Sequence, residues 1–388
     1  MSNNEPEEES YGDSVAGITA YEAPEPQRKS FLPWHRPRKQ FVRCGQWEEQ
    51  IKKLLEDMKP INGTLRYFGL PGDDLLDIRY FHDAICEPQN LKLRYLGFNT
   101  SLRAEEDQQA DTNVSIDEVN KLTCIDPESE VIPDDFCRIA SKDSIAWKKM
   151  FEHGPYDVVN LDLCDGFGAH APDPVEETYY NALSNLLVLQ SKTKVPWLLF
   201  ITTRTGNKHI HSDVLGKLVK RYQDNLECCN DFKIASIDSF SIGDVAALEK
   251  ALTTEKGLSD VFVAGLCKWL IGLAVKFNPP MKVEMRSVIG YRIEKDATNS
   301  DLVSFALRFT PILTPVADAT GLSGGVATLD ECDFSPKILN KIANCVDADK
   351  LLAEKPDILQ RMIKDTTRLL DIARYDISTY AAFIDADA

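Results

Sequence analysis

The chain has 388 residues, of which 43% are apolar and 27% are charged, values that are ordinary for a soluble globular protein. Its net charge of −17 argues against a protein that wraps nucleic acid with its whole surface, because phosphate contacts need clustered lysine and arginine. No apolar run approaches the roughly 18 residues of a membrane span, and the acidic start is unlike a secretion signal, so we expect a cytoplasmic protein without membrane contact.

The N-terminal region divides into two parts of opposite charge. Residues 1–27 are acidic and poor in apolar side chains, which predicts a disordered tail. Residues 28–60 begin with a basic and aromatic arm, residues 28–43, and continue into a helix over residues 45–58, where apolar side chains recur at helical spacing. The change from negative to positive charge makes the arm the first candidate for a binding function.

The arm interleaves six basic residues with aromatic ones, which is the pattern that phosphate and base-stacking contacts use. It therefore predicts a nucleic-acid partner for residues 28–43, with Arg36, Arg38 and Lys39 as substrate contacts. The alternative is that the aromatic side chains anchor the arm on its own domain while the charges stay solvated.

After the arm, strand-like and helical segments alternate along the chain. The strand-like segments are residues 64–69, 91–98, 136–140, 157–163 and 196–202. The helical segments are residues 75–85, 145–152 and 176–190. Residues 103–130 form a polar insertion without a strand pattern. The alternation predicts an α/β fold with a doubly wound, mostly parallel sheet.

The C-terminal half has a different texture. Residues 205–280 are mostly helical, and two strand-like segments, 282–294 and 302–313, follow across a polar loop, which predicts a terminal antiparallel β-hairpin. We assign residues 61–313 to one α/β domain. Residues 314–388 are a Gly-rich loop followed by C-terminal helices, which could form a dimer surface or a lid.

The end of the fourth strand carries the most informative polar cluster. Asn160, Asp162 and Asp165 follow an apolar run, and Gly166 and Gly168 end the segment. Ligands of open α/β sheets bind outside the carboxyl ends of the strands. We therefore predict that the first three residues line a catalytic site. The alternative is that one carboxylate merely caps the next helix.

Cysteine and histidine predict no metal site. The ten cysteines are scattered without a Cys-x-x-Cys pair, and the closest two, Cys228 and Cys229, are adjacent. His209 and His211 are the nearest approach to a ligand pair, but their spacing is more typical of a surface loop. We expect buried, reduced thiols and no metal.

The order of the elements resembles the class I S-adenosylmethionine-dependent methyltransferases. The resemblance covers roughly residues 60–313 and rests on five β/α units followed by an antiparallel hairpin. In that family a Gly-rich loop after the first strand passes under the cofactor, an acidic residue at the end of the second strand holds the ribose, a third-strand Asp approaches the adenine, and the fourth strand ends in the catalytic motif. Residues 160–166 are similar to the Asp-Leu-Asp-Pro-Phe-Gly motif of a tRNA guanine methyltransferase group.

The resemblance implies a set of contacts to S-adenosylmethionine. Gly69, Gly72 and Asp73 stand in the first loop, Asn99 stands where the family has a carboxylate, and Asp143 stands on the adenine side. The acidic residue that precedes the first glycine in the family is missing here. The loop glycines could instead serve a plain strand-to-helix turn, and Asp143 could instead be the N-cap of the next helix.

The implied activity is methyl transfer, in which Asp162 takes a proton from the acceptor or orients it, and Asp165 and Asn160 assist. Arg204, at the end of the fifth strand, could pair with a substrate phosphate, with Asp162, or in a structural salt bridge. The acceptor would be nucleic acid delivered along residues 28–43, or a protein.

A second function from another class stays open. The missing acidic residue and Asn99 favour a methyltransferase-like scaffold without catalysis, an interaction subunit that binds a protein partner or a second copy of itself. The chain lacks the Gly-x-Gly-x-x-Gly and Gly-x-Ser-x-Gly motifs, which argues against a nicotinamide-dependent oxidoreductase and a nucleophilic hydrolase.

Overall fold

The computed structural model describes most of the chain. The described residues are 29–103, 106–163, 165–171, 176–294, 299–313 and 329–386. The predicted acidic tail, residues 1–27, and most of the predicted Gly-rich loop lie outside these ranges.

An eight-stranded mixed sheet forms the centre of the protein. In chain order the strands are β1 (Thr64–Gly69), β2 (Lys92–Phe98), β3 (Glu130–Ile132), β4 (Val158–Asp162), β5 (Trp197–Arg204), β6 (Met281–Tyr291), β7 (Leu302–Pro311) and β8 (Val346–Asp347). The order across the sheet is β3-β2-β1-β4-β5-β7-β6-β8, and only β7 runs antiparallel to its neighbours. The predicted α/β class, the mostly parallel sheet and the antiparallel hairpin are confirmed.

Helices cover both faces of the sheet. They are α1 (Pro37–Val42), α2 (Glu49–Asp57), α3 (Leu76–Phe81), α4 (Glu87–Gln89), α5 (Glu106–Asn120), α6 (Ile145–His153), α7 (Tyr179–Gln190), α8 (Ser212–Cys228), α9 (Asn230–Phe240), α10 (Val245–Ala251), α11 (Glu255–Ala274), α12 (Ser335–Ala343), α13 (Ala348–Glu354), α14 (Pro356–Ile372) and α15 (Tyr380–Asp385). Hydroxyl side chains begin several of them: Ser144, Thr178 and Thr254 each accept a hydrogen bond from a backbone N–H in the first turn.

Each face of the sheet packs against its own helical layer. Val158 and Phe200 face a layer built from the arm, α2, α3 and α14, which we call the arm layer. Val159 and Ile201 face the opposite layer, built from α6, α7, α8, α11 and α12. Strands that are buried on both sides need apolar residues at successive positions, which explains the near-continuous apolar runs in the sequence.

Two predicted segments have a different structure. Residues 136–140, predicted as the third strand, form a 3-10 helix, and the third strand is the shorter Glu130–Ile132. Asp135 begins that helix by accepting a hydrogen bond from the Cys137 N–H, which stabilises a turn in place of a strand. The polar insertion contains the helix α5, which the polar sequence did not indicate.

α11 is the one described helix with the length and apolar content of a membrane span. Most of it lies inside the protein, where it packs against α8 and α12 in the opposite layer. Burial of most of this helix explains its high apolar content.

Candidate functional site

The two glycines of the loop after β1 serve different purposes. A side chain at Gly69 would place its Cβ 2.7 Å from the ring of Tyr67, so glycine here lets the tyrosine fold over the strand end. At Gly72 a Cβ would meet no atom within 4 Å. Packing within the protein therefore explains the first glycine, whereas the second faces open space that a ligand can use.

Asn99 and Asp73 meet beside this loop. The Asn99 Nδ2 donates to the carbonyl oxygen of Pro71 and to Asp73 Oδ1, both at 3.1 Å, and its Oδ1 accepts from the Ser101 N–H at 2.7 Å. The other Asp73 oxygen accepts from Gln108 Nε2 at 3.0 Å. The structure thus brings the predicted loop and β2 residues together, and hydrogen bonds within the protein hold their polar groups.

Asp143 does not cap the helix that follows it. It is exposed on the turn before α6. The N-cap of α6 is the next residue, Ser144, whose Oγ accepts from the Trp147 N–H at 3.0 Å. The alternative prediction that Asp143 caps this helix is therefore wrong.

Asp162 ends β4 and forms an ion pair with Lys39 of the arm. The lysine Nζ lies 2.5 and 2.6 Å from the two carboxylate oxygens. The Lys39 side chain is 4% exposed and that of Asp162 is 22% exposed, so the lysine holds the carboxylate from the buried side. Burial lowers the pKa of Lys39, but Asp162, with Tyr291 and Asp77, more than offsets this, and the pKa is raised above its ordinary value. Lys39 is therefore charged at neutral pH.

Two aromatic residues complete the surroundings of this ammonium group. The Lys39 Nζ lies 4.6 Å from the centre of the Trp47 ring and 3.4 Å from the hydroxyl of Tyr291, the last residue of β6. Burial raises the pKa of Tyr291 to about 12, although the nearby lysine acts in the other direction. A neutral hydroxyl, a carboxylate and an indole face thus fix one positive charge at the carboxyl edge of the sheet.

Asn160 lies two residues before Asp162 and faces the same layer. It is 1% exposed, and within the described residues neither atom of its carboxamide has a hydrogen-bond partner of ordinary geometry. The Tyr67 hydroxyl approaches it, and burial raises the pKa of that tyrosine well above its ordinary value, so the hydroxyl stays neutral. Because buried polar groups are normally paired, the carboxamide of Asn160 marks a place where a ligand can complete its hydrogen bonds.

The arm is an integral wall of this edge. Gln46 exchanges two hydrogen bonds with Ser304 of β7, and Thr202 of β5 donates to the same serine hydroxyl at 3.0 Å. Arg43 Nε lies 2.6 Å from Asp77 Oδ1 in α3. These buried contacts join the end of the arm, and Gln46 just after it, to both the sheet and the first helix after β1.

The other basic residues of the arm also contact the protein itself. Arg36 is 6% exposed and its guanidinium lies 4.3 Å from the centre of the Phe383 ring. Arg38 donates to the carbonyl oxygen of Arg292 at 2.7 Å and lies 3.1 Å from Asp349. Phe31 packs against aromatic side chains of the C-terminal region, which is the anchoring that we considered for the arm, whereas Trp34 is exposed. The accompanying prediction of solvated charges is wrong for Arg36 and Arg38.

Arg204 and Asp165 have different environments. The Arg204 Nη1 lies 2.8 Å from Glu294 and 3.5 Å from Asp301, so the structural salt bridge is the alternative that the geometry supports. Asp165 is exposed on the loop after β4. Of the three predicted catalytic residues, Asn160 and Asp162 therefore lie on one face of β4, and Asp165 lies at its rim.

The described residues offer no grouping of three His, Cys, Asp or Glu side chains that could hold a metal ion. The nine described cysteines are free thiols, of which four are buried and one, Cys228, is exposed. The adjacent Cys229 is among the buried ones.

Sequence reasoning missed Tyr67, Tyr291 and Gln46 as members of this site. Tyr291 carries a usable signal, because it is the last residue of a strand that points to the same edge as Asp162. No sequence pattern identifies Gln46, because its partner Ser304 lies 258 positions away in the chain.

A family model described as PP_RS20740-like matches residues 28–385 of the chain. No curated protein matches the chain. The matched region includes the arm, the whole sheet and the C-terminal helices.

Proposed function

The chain belongs to the PP_RS20740-like family, and we propose that it is a methyltransferase that uses S-adenosylmethionine. The observation that carries the proposal is the sheet, in which five parallel strands continue into a hairpin whose β7 lies between β5 and β6. This is the arrangement that the class I methyltransferase resemblance implies. It also brings the ends of β1, β2, β4 and β6 to one edge, where ligands of open α/β sheets bind.

The residues at this edge fit the cofactor. Gly72 faces open space, and the buried carboxamide of Asn160 lacks a hydrogen-bond partner of ordinary geometry. Asp73 and Asn99 lie together beside that space and offer oxygens to hydroxyl groups, although a neutral amide lacks the strength of a carboxylate. When bound, S-adenosylmethionine supplies a methyl group activated by a sulfonium. Under the proposal these four residues hold it.

Asp162 is the residue that we assign to the acceptor. Its carboxylate is partly exposed, so it can accept a hydrogen bond from an incoming amine or hydroxyl and take the proton as the methyl group is transferred. Lys39 fixes the carboxylate from the buried side, which makes the lysine a positioning residue. The Tyr291 hydroxyl, neutral and close to the lysine, supports that geometry.

Isothermal titration of the purified protein with S-adenosylmethionine and S-adenosylhomocysteine tests the proposal. We expect micromolar affinity that is lost in Gly72→Trp, because the indole would fill the open space without a clash in the fold. Ile61→Trp is the matched control, since it adds the same bulk at an exposed position before the amino end of β1. Absence of binding up to about 1 mM ligand, equivalent to roughly −4 kcal/mol, would refute the proposal for this chain.

One observation favours the second candidate, a non-catalytic scaffold. The Tyr67 ring fills the space beside Gly69, and the Asn99 side chain forms its hydrogen bonds with residues of the protein itself. A scaffold would give no heat with either ligand in the titration. It would also tolerate Asp162→Ala in every partner-binding assay, whereas the enzyme would lose methyl transfer.

A further inference from the structure

A groove in the opposite layer begins at the carboxyl edge and runs along α8. Its volume is about 1070 Å³, and residues of α7 and α8 and the side chain of Trp269 line it. The lining of α8 extends from Ser212 to Asp224, about 18 Å at 1.5 Å per residue. A second cavity of about 370 Å³ lies beside it and shares Arg221 and Trp269 with its lining.

One side of the groove carries three cations of α8, and its lining also includes the carboxylates of Asp213 and Asp224. Lys220 and Arg221 follow Lys217 by three and four residues, so they lie on the same face of α8 as that lysine. Lys220 is paired with Asp224 at 2.9 Å. Lys217 and Arg221 are exposed, and neither forms an ion pair with any residue that the structure describes. Two positive charges are therefore available in a protein whose net charge is −17.

Gly216 lines the same groove and has no packing reason to be glycine. A Cβ there would meet no atom within 4 Å, although the residue lies inside α8, where glycine is unfavourable relative to alanine. Gly265 of α11 shows the contrast, because a Cβ at that position would lie 2.8 Å from Leu218. An unexplained glycine on a helix face permits close approach of a ligand to the backbone.

Trp269 connects the groove to the loop after β4. Its ring is half-buried and lies 6.2 Å from Tyr180 and 6.4 Å from Phe167 between ring centres. The Tyr180 hydroxyl donates to the backbone carbonyl of Phe167 at 3.0 Å. Phe167 belongs to the loop that follows Asp162, so the groove reaches this loop from the opposite layer, whereas the Asp162 carboxylate itself faces the arm layer.

We infer that this groove binds single-stranded nucleic acid, with phosphates on Lys217 and Arg221 and a base stacked on Trp269. A stacking platform beside unpaired cations is the combination that single-strand binding uses. A single strand suits the site because its unstacked bases can reach a recessed indole. A bound single strand would be the methyl acceptor of the proposed function. Its methylation rests on that function, but its binding does not. The inference also moves the nucleic-acid surface from the arm, whose cations contact the protein itself, to α8.

Fluorescence anisotropy with labelled DNA and RNA single strands of about 12 nucleotides, without cofactor, tests the inference. We expect binding that weakens about tenfold in Trp269→Ala and more in the double variant Lys217→Glu with Arg221→Glu. Gly216→Leu should weaken binding while the protein stays folded. Tighter binding of the RNA strand would show that the site recognises the 2′-hydroxyl. Equal affinity would show that backbone and stacking contacts alone hold the strand.

The matched control is the double variant Lys233→Glu with Lys250→Glu, which makes the same charge change at exposed positions outside the groove. An equal loss of affinity in both double variants would overturn the inference, because it would show a general charge effect. No binding of either strand at about 50 mM salt would overturn it as well. Since the cofactor titration is a separate measurement, failure here leaves the methyltransferase proposal standing, and a positive strand-binding result does not depend on it.

Discussion

The Lys39 ammonium and the Asp162 carboxylate, 123 positions apart, form an ion pair in which the lysine lies on the buried side. The lysine thus leaves the exposed edge of Asp162 accessible, which distinguishes it from a residue that blocks the site. An oriented carboxylate with one free edge is suited to receive a proton or to align an amine. The arm therefore contributes to the geometry of the site through Lys39.

Replacement of Lys39 by Met should destabilise the protein by roughly 2 kcal/mol, because it leaves the Asp162 carboxylate without its partner. The cost stays below that of a fully buried pair, since Asp162 keeps some contact with water. Urea unfolding of the variant measures it.

The companion variant for this pair is Lys39→Met with Asp162→Asn. We expect the double variant to lose less stability than the sum of the two single variants, because the unpaired charge is absent. Additive losses would show that the two side chains do not interact.

His35 should make the protein sensitive to mild acid. Burial lowers the pKa of His35 to about 4, with Asp74 acting against this shift and Arg43 and Lys29 acting with it. The His35 Nδ1 accepts the Leu32 N–H at 3.1 Å. The unfolded chain takes up a proton near pH 6.5, whereas the folded protein does so only near pH 4. Stability from this group is therefore complete above about pH 6.5 and falls by about 3 kcal/mol as the pH drops to 4.

The variant His35→Asn isolates that effect, because an amide oxygen can accept the same N–H and does not titrate. Chemical unfolding at several pH values between 4 and 7 should give a shallower dependence for the variant than for the parent protein. Identical slopes would mean that His35 is not the group responsible.

Substitution of the two loop glycines by alanine should separate packing from ligand space. Gly69→Ala should cost about 1–3 kcal/mol, because the added methyl group would overlap the Tyr67 ring. Gly72→Ala should change the free energy of unfolding by less than about 0.5 kcal/mol. Thermal melts compare the two, and equal effects would contradict the assignment.

Asp162→Ala should abolish methyl transfer and leave the affinity for S-adenosylmethionine unchanged, if Asp162 acts on the acceptor. Transfer of a labelled methyl group to the bound single strand and titration of the cofactor measure the two properties. Loss of both would place Asp162 in the cofactor site instead.

Much of the sheet could be predicted from the sequence, because buried parallel strands need continuous apolar runs. β1 matches the predicted residues 64–69, and β4 lies within the predicted 157–163. β3 was missed because it is a three-residue edge strand that pairs with β2 alone and needs no long apolar run. Secondary structure was therefore predictable where burial was two-sided.

The candidate site was predictable only in part. The position of Asn160 and Asp162 follows from the end of a buried strand, which a local pattern reveals. The role of the arm does not, because a basic and aromatic segment is equally suited to contact phosphates or the protein's own carboxylates and rings. Only the fold decides this, by placing Lys39 next to Asp162 and Arg36 next to Phe383.

The pairing of the arm and of Gln46, just after it, with distant parts of the chain has a consequence for biosynthesis. The Tyr380 hydroxyl donates to the carbonyl oxygen of His35 at 2.6 Å, across 345 positions, and Gln46 bonds to Ser304 across 258. Contacts of such separation form late, after the loop between them has been synthesised. Nearly the entire chain must therefore emerge from the ribosome before the wall around Asp162 can form. A nascent fragment that already contains Asp162 lacks an assembled site.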